Sequence, residues 1–173
     1  WFPQNETQFD VVFMSYGTFM WLSDINALGQ GIAKSLKSGG RYIIVDFHPL
    51  SFIFGENWQV TYDYMTGVHN KFDGVGDYVG ACSGKTISGG ETLEAPAEYF
   101  QNPHPSHEFT WGIADIISAL INAGLTLKVL KEYPYSNGFM MQEGMIEREN
   151  RRMYAPHDKP QNLPFMFGII AQK

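Results

Sequence analysis

Residues 9–50 read FDVVFMSYGTFMWLSDINALGQGIAKSLKSGGRYIIVDFHPL. The opening run, Phe9 to Met14, is rich in β-branched and aromatic residues and predicts a buried strand. Ser15-Tyr16-Gly17-Thr18 forms a small-residue turn, after which Ser23 or Asp24 can cap a helix. Ile25, Leu28, Ile32, Ala33 and Leu36 then recur on one helical face, predicting a helix over 24–37. Gly39-Gly40 ends that helix, because glycine takes the left-handed conformation at low cost. Tyr42 to Phe47 is a second apolar strand. Strand, helix and strand within this span make a βαβ unit, so 9–14 and 41–47 are expected to be adjacent and parallel, with a right-handed crossover.

Outward from this unit the pattern changes. Residues 50–108 are rich in glycine and scattered aromatics. They read as a long insertion or lid, with weak strand signals at Trp58–Met65 and Ala97–Gln101. Regular pattern returns at Trp111. Ile113, Ile116, Ile117, Leu120 and Ile121 share a helical face closed by Gly124, and Leu125, Leu127 and Val129 alternate into a strand ending near Tyr133. Residues 142–153 are polar and predict an exposed helix, with Glu147 and Arg151 paired one turn apart. Phe165 to Ala171 is the last strand, with Pro164 at its start.

The 173 residues suit one domain, and the 44% hydrophobic and 17% charged content excludes a disordered chain. Aromatic residues reach 15%, which suggests aromatic-lined pockets or aromatic packing of the irregular region. The net charge of −6 lies wholly in residues 51–110; residues 1–50 are near neutral and 111–173 carry a net +1. No basic footprint for nucleic acid exists. No apolar run is long enough to span a membrane. The single cysteine, Cys82, excludes an internal disulfide and fits a reducing compartment, so a cytoplasmic protein is expected. The start, Trp1-Phe2-Pro3, has neither an initiating Met nor a signal-peptide pattern and reads as beginning mid-protein.

With the strings of 9–50 in view, the sequence resembles the second half of a class I S-adenosylmethionine-dependent methyltransferase. Phe9-Asp10-Val11-Val12 is similar to that family's fourth strand, and Leu36-Lys37-Ser38-Gly39-Gly40 to the turn before its fifth. The helix ending Ala123-Gly124-Leu125, the strand after it and the final strand behind Pro164 resemble its C-terminal β-hairpin. The Trp21-Leu22-Ser23-Asp24 and Phe47-His48-Pro49 strings resemble a bacterial branch of small-molecule methyltransferases. The match covers 9–50 and 109–173. It implies an α/β, Rossmann-like sheet, mostly parallel, with a C-terminal antiparallel hairpin and the last strand between 41–47 and 125–133. It also implies methyl transfer from S-adenosylmethionine to a small-molecule acceptor. The family's glycine-rich cofactor loop, which follows its first strand, has no counterpart. Gly74-Val75-Gly76-Asp77 and Ser88-Gly89-Gly90 lie in the insertion. The chain therefore reads as a single incomplete methyltransferase-like domain, 1–173, whose N-terminal strands are missing.

Ser15, Tyr16, Gly17 and Thr18 follow the first strand at its carboxyl end, where ligands bind in open α/β sheets. The resemblance assigns them to the cofactor; the plainer reading is a strand-to-helix turn. Phe19 and Trp21 are candidate walls of the acceptor pocket, Trp21 equally a hydrophobic staple. Tyr99 and Trp111 are further candidates for that pocket or for aromatic packing. His48 can serve as a base toward an acceptor or can order the turn before Pro49. His104, His107 and Glu108 lack the spacing of a metal site, and none is expected. Two rivals stand beside the methyltransferase: a dinucleotide-dependent oxidoreductase fragment, which a parallel last strand would favour, and a non-catalytic association module dimerising through the exposed edge of 9–14.

Overall fold

A computed structural model describes residues 2–65, 69–72 and 104–173 of the chain. It divides into two compact units, Trp1–Val68 with Phe109–Lys173, and His69–Glu108.

The first unit is built on the βαβ segment. Strand β1 (Phe9–Ser15) and strand β2 (Leu36–Phe47) are parallel neighbours, with Val12 opposite Tyr42 and Met14 opposite Ile44. Between them runs helix α1, Ile25–Ser35. Asp24 caps it, its carboxylate accepting from the Ala27 N–H at 2.9 Å, which satisfies one of the helix's orphan donors. The helix ends before the glycines. Lys37–Gly40 form a bulge in the β1–β2 ladder, pinned by Lys37 Nζ on Asp10 at 2.9 Å. Gly39 takes φ +77° there, so the pair shapes the turn rather than the helix end.

Helix α2 (Ile113–Asn122), strand β5 (Thr126–Tyr133) and strand β9 (Met166–Gln172) complete the main sheet, in the order β1-β2-β9-β5. Strand β9 is antiparallel to both neighbours, so β1, β2 and β5 all point one way. The last strand thus lies where the methyltransferase resemblance implies, and against the arrangement that would favour the oxidoreductase. One face of the sheet packs on the helices through Leu36, Tyr42, Ile44, Phe167, Ile169 and Ala171, against Ile32 of α1 and Ile116 and Leu120 of α2. Burying each large apolar side chain contributes about 1.5–3 kcal/mol. The helices meet at Gly29, where a Cβ would stand 2.7 Å from the Ala119 carbonyl. Ile121, expected on the buried face, is exposed.

Two predicted elements are also absent from this unit. Residues 142–153 are not a helix. Strand β7 (Ile146–Arg148) turns through Glu149–Arg151 into strand β8 (Arg152–Tyr154), and β8 also pairs with strand β6 (Ser136–Asn137). Asn150 and Arg151 sit at positive φ in the turn, and Glu147 faces Met153 across the ladder rather than meeting Arg151 along a helix. The cause is burial: Met145 and Met153 join Ala155 and Phe165 in a second apolar cluster. Nor do residues 58–65 form a strand. A single bridge, Phe54 to Val60, is present, and Trp58 instead packs on Phe165 and donates from Nε1 to the Glu143 carbonyl at 2.9 Å.

In the second unit, strands β3 (His69–Phe72) and β4 (Ser106–Phe109) form a two-stranded sheet. The rings of His69 and His107 stack, with Nε2 and Nδ1 2.7 Å apart. The expected strand at 97–101 and Tyr99 lie outside the described residues.

Candidate functional site

The carboxyl ends of β1, β2 and β5 form one edge of the main sheet, and the loop after β1 is held there by a buried acid. Asp46 takes the inward position of β2 after Tyr42 and Ile44, and is 2% exposed. Its carboxylate accepts from the backbone N–H groups of Gly17, of Thr18 at 3.1 Å and of Phe47 at 2.7 Å. Burial pushes its carboxyl above the usual range, while these N–H donors pull it back in part. Beside it, burial and the charge of Asp46 push the Tyr42 hydroxyl well up; that hydroxyl donates to Met14 Sδ. Asp46 was not among the sequence candidates. The signal for it is an acid in register with two core residues at the end of an apolar strand.

The four loop residues proposed for the cofactor are therefore brought together, but with the backbone N–H groups of Tyr16, Gly17 and Thr18 and the Thr18 hydroxyl already engaged. The Thr18 hydroxyl donates to the Ser15 carbonyl at 3.0 Å, and the Tyr16 N–H to the Val45 carbonyl at 3.1 Å. Gly17 has φ +73°, and a Cβ there would meet only the Phe47 ring, at 3.9 Å. The loop is thus open on its outer side, with its N–H groups turned inward. The described residues do not fit the polar groups of S-adenosylmethionine: no free run of backbone donors faces a ligand here, and the glycine-rich string is absent from the sequence.

His48 caps the short 3-10 turn Pro49–Ile53. Its Nδ1 accepts from the Leu50 N–H at 3.1 Å, so the neutral ring carries its proton on Nε2, which donates to Glu132 of β5 at 2.8 Å. Burial lowers its pKa below 6.5, more than the Glu132 carboxylate raises it. With both nitrogens engaged and the ring 3% exposed, His48 orders the turn and has no lone pair open to an acceptor. Phe19 is in the core, stacked on Phe167. Trp111 donates from Nε1 to the Leu22 carbonyl at 2.8 Å and packs on the same core. Trp21 is 42% exposed.

The sheet edge does carry a cleft, of about 180 Å³. Tyr16 lines it from the loop after β1, Val45, Tyr133 and Met166 from the main sheet, Tyr135 from the turn before β6, and Asn137 and Arg152 from the β6-β8-β7 sheet. Of the sequence candidates only Tyr16 is among them, its hydroxyl accepting from Asn137 Nδ2 at 2.9 Å. The others were missed because their meeting place is made by strands far apart in sequence. Among the described residues no group of three metal-ligating side chains occurs, and no helix is long and apolar enough to cross a membrane.

No family model matches the sequence, and no curated protein matches it. Among solved structures, an S-adenosylmethionine dependent methyltransferase from Mesorhizobium loti superposes with a TM-score of 0.51 at 11% identity, over 97% of this chain and 63% of that one. The fold is that of the class I S-adenosylmethionine-dependent methyltransferases. A second methyltransferase of that dependence, from Clostridium acetobutylicum, has a TM-score of 0.47 at 12% identity, over 96% of this chain and 58% of that one. The chain thus spans less than two thirds of the length of either methyltransferase.

Proposed function

We propose that the protein transfers a methyl group from S-adenosylmethionine to a small-molecule acceptor, and that this chain supplies the acceptor side of the site. The observation that carries the reading is the sheet order β1-β2-β9-β5 with an antiparallel β9, in a chain that superposes over 97% of its length on the Mesorhizobium methyltransferase with a TM-score of 0.51. Donors for the cofactor's ribose and methionyl groups are expected from structure equivalent to the part of that neighbour outside the matched 63%. The cofactor would bring an electrophilic methyl group; alignment of an unprotonated acceptor is then the protein's main task. The residues of this chain contribute walls: the loop 15–18, kept in place by Asp46, and the cleft beside it. A cytoplasmic setting accompanies this reading.

The test is methyl transfer by the product of the complete reading frame, supplied with labelled S-adenosylmethionine and a panel of small acceptors. Label in an acceptor supports the reading; the absence of both transfer and cofactor binding overturns it.

A second reading is favoured by the free edge. Among the described residues β1 pairs only with β2, and Val11 and Phe13 are 45% and 60% exposed. Such an edge invites pairing with another copy. Sedimentation equilibrium should show a dimer that Phe13→Lys disrupts; a monomer at every concentration removes this reading.

A further inference from the structure

We infer that the cleft at the carboxyl edge of the main sheet binds a small aromatic carboxylate, with Arg152 holding the acid group. That this ligand is the methyl acceptor rests on the proposed function; its binding does not.

The β6-β8-β7 sheet places Arg152 in register with Asn137 on one side and Arg148 on the other. Cross-strand partners share a face, and like charges directly opposite destabilise a ladder. An acidic chain has carboxylates to spare, yet among the described residues none pairs with either arginine. Each guanidinium lies instead over a tyrosine, Arg152 at 4.5 Å from the Tyr135 ring centre and Arg148 at 4.6 Å from that of Tyr154. A guanidinium over a ring face can still offer its edge donors, and such an edge receives a carboxylate through two parallel hydrogen bonds. An anion there would relieve the repulsion between the arginines.

The remainder of the cleft suits a ring. Tyr16, Tyr133 and Tyr135 present aromatic surface, Val45 and Met166 aliphatic surface, and no Asp or Glu lines it. A volume of about 180 Å³ exceeds the roughly 150 Å³ that accommodates benzene, leaving room for one ring and an acid group. Inorganic phosphate would satisfy Arg152 and leave the tyrosine walls unused.

The experiment is calorimetric titration of the 173-residue chain with benzoate, its neutral isostere benzamide and inorganic phosphate, repeated on Arg152→Gln and Arg152→Lys. Benzoate is expected to saturate in the millimolar range or below, with benzamide and phosphate weaker. Arg152→Gln should weaken benzoate by about 10- to 100-fold while leaving benzamide unchanged, as expected for a charge-assisted hydrogen bond. Arg152→Lys should recover part of the loss. Equal binding of benzoate and benzamide, tighter binding of phosphate, no saturation by benzoate, or an unaffected Arg152→Gln would each overturn the inference. If Arg152→Gln fails to fold, the benzoate and benzamide comparison on the unaltered chain decides. These titrations need neither cofactor nor turnover. Their failure leaves the methyl-transfer assay standing, and failure of that assay leaves the carboxylate site standing.

Discussion

Asp46 ties the loop after β1 to the end of β2 through the N–H groups of Gly17 and Thr18. An amide cannot replace it: one of its two atoms would present N–H to backbone N–H. Asp46→Asn should therefore cost about 1–3 kcal/mol in denaturant unfolding, and an unchanged midpoint would show that the loop holds itself. His48 makes a prediction in pH. Its folded pKa lies below the ordinary 6.5, so between those two values the unfolded chain binds the proton and the folded chain does not. Stability from this residue is thus complete above 6.5 and lost as pH falls through that window. His48→Asn keeps an acceptor for the Leu50 N–H but cannot titrate, and the fall in thermal midpoint between about pH 7 and pH 5 should become shallower. An identical slope would place the titration elsewhere. Asp46, raised above 3.8, acts in the opposite sense, its stabilisation declining as pH rises from 3.8 through its folded pKa. At this scale the sequence was half legible. Asp46 stands in visible alternation with Tyr42 and Ile44, but its partners lie 28 and 29 residues away. His48 fitted both a base and a turn residue, and only Glu132, 84 residues on, shows where its second nitrogen goes.

At the scale of elements, periodicity served where burial is decided locally. Helix α1 and strands β1 and β2 follow from apolar spacing and the Asp24 cap. Residues 142–153 were misread because Glu147 and Arg151 satisfy a helical pair rule, while Met145 and Met153 are drawn into a cluster around Phe165, a residue beyond the window. Burial of two methionines outweighs an exposed ion pair worth about 0.3–0.5 kcal/mol. The α1–α2 contact offers a direct test. Alanine at Gly29 would gain about 1 kcal/mol of helix propensity, masking part of the clash, so valine is the better probe. With its Cβ 2.7 Å from the Ala119 carbonyl, Gly29→Val should destabilise by about 1–3 kcal/mol. Gln30→Ala, at an exposed position of the same helix, should be near neutral. Equal midpoints for the two variants would mean that the helices are not in close contact there.

At the scale of the whole molecule, the order β1-β2-β9-β5 was legible from the family resemblance and not from periodicity, which says nothing of strand order. The cleft was not legible at all, since Tyr16, Tyr135 and Arg152 meet only through two separate sheets. Under the proposed function this chain supplies acceptor walls, while the Gly17 and Thr18 N–H groups stay committed to Asp46 and are not offered to the cofactor. Calorimetric titration of the 173-residue chain with S-adenosyl-L-homocysteine tests that division most directly. No saturable binding is expected in the low micromolar range; low-micromolar affinity for the chain alone would contradict the proposed division, because the cofactor would then be held despite the Gly17 and Thr18 N–H groups being bound to Asp46.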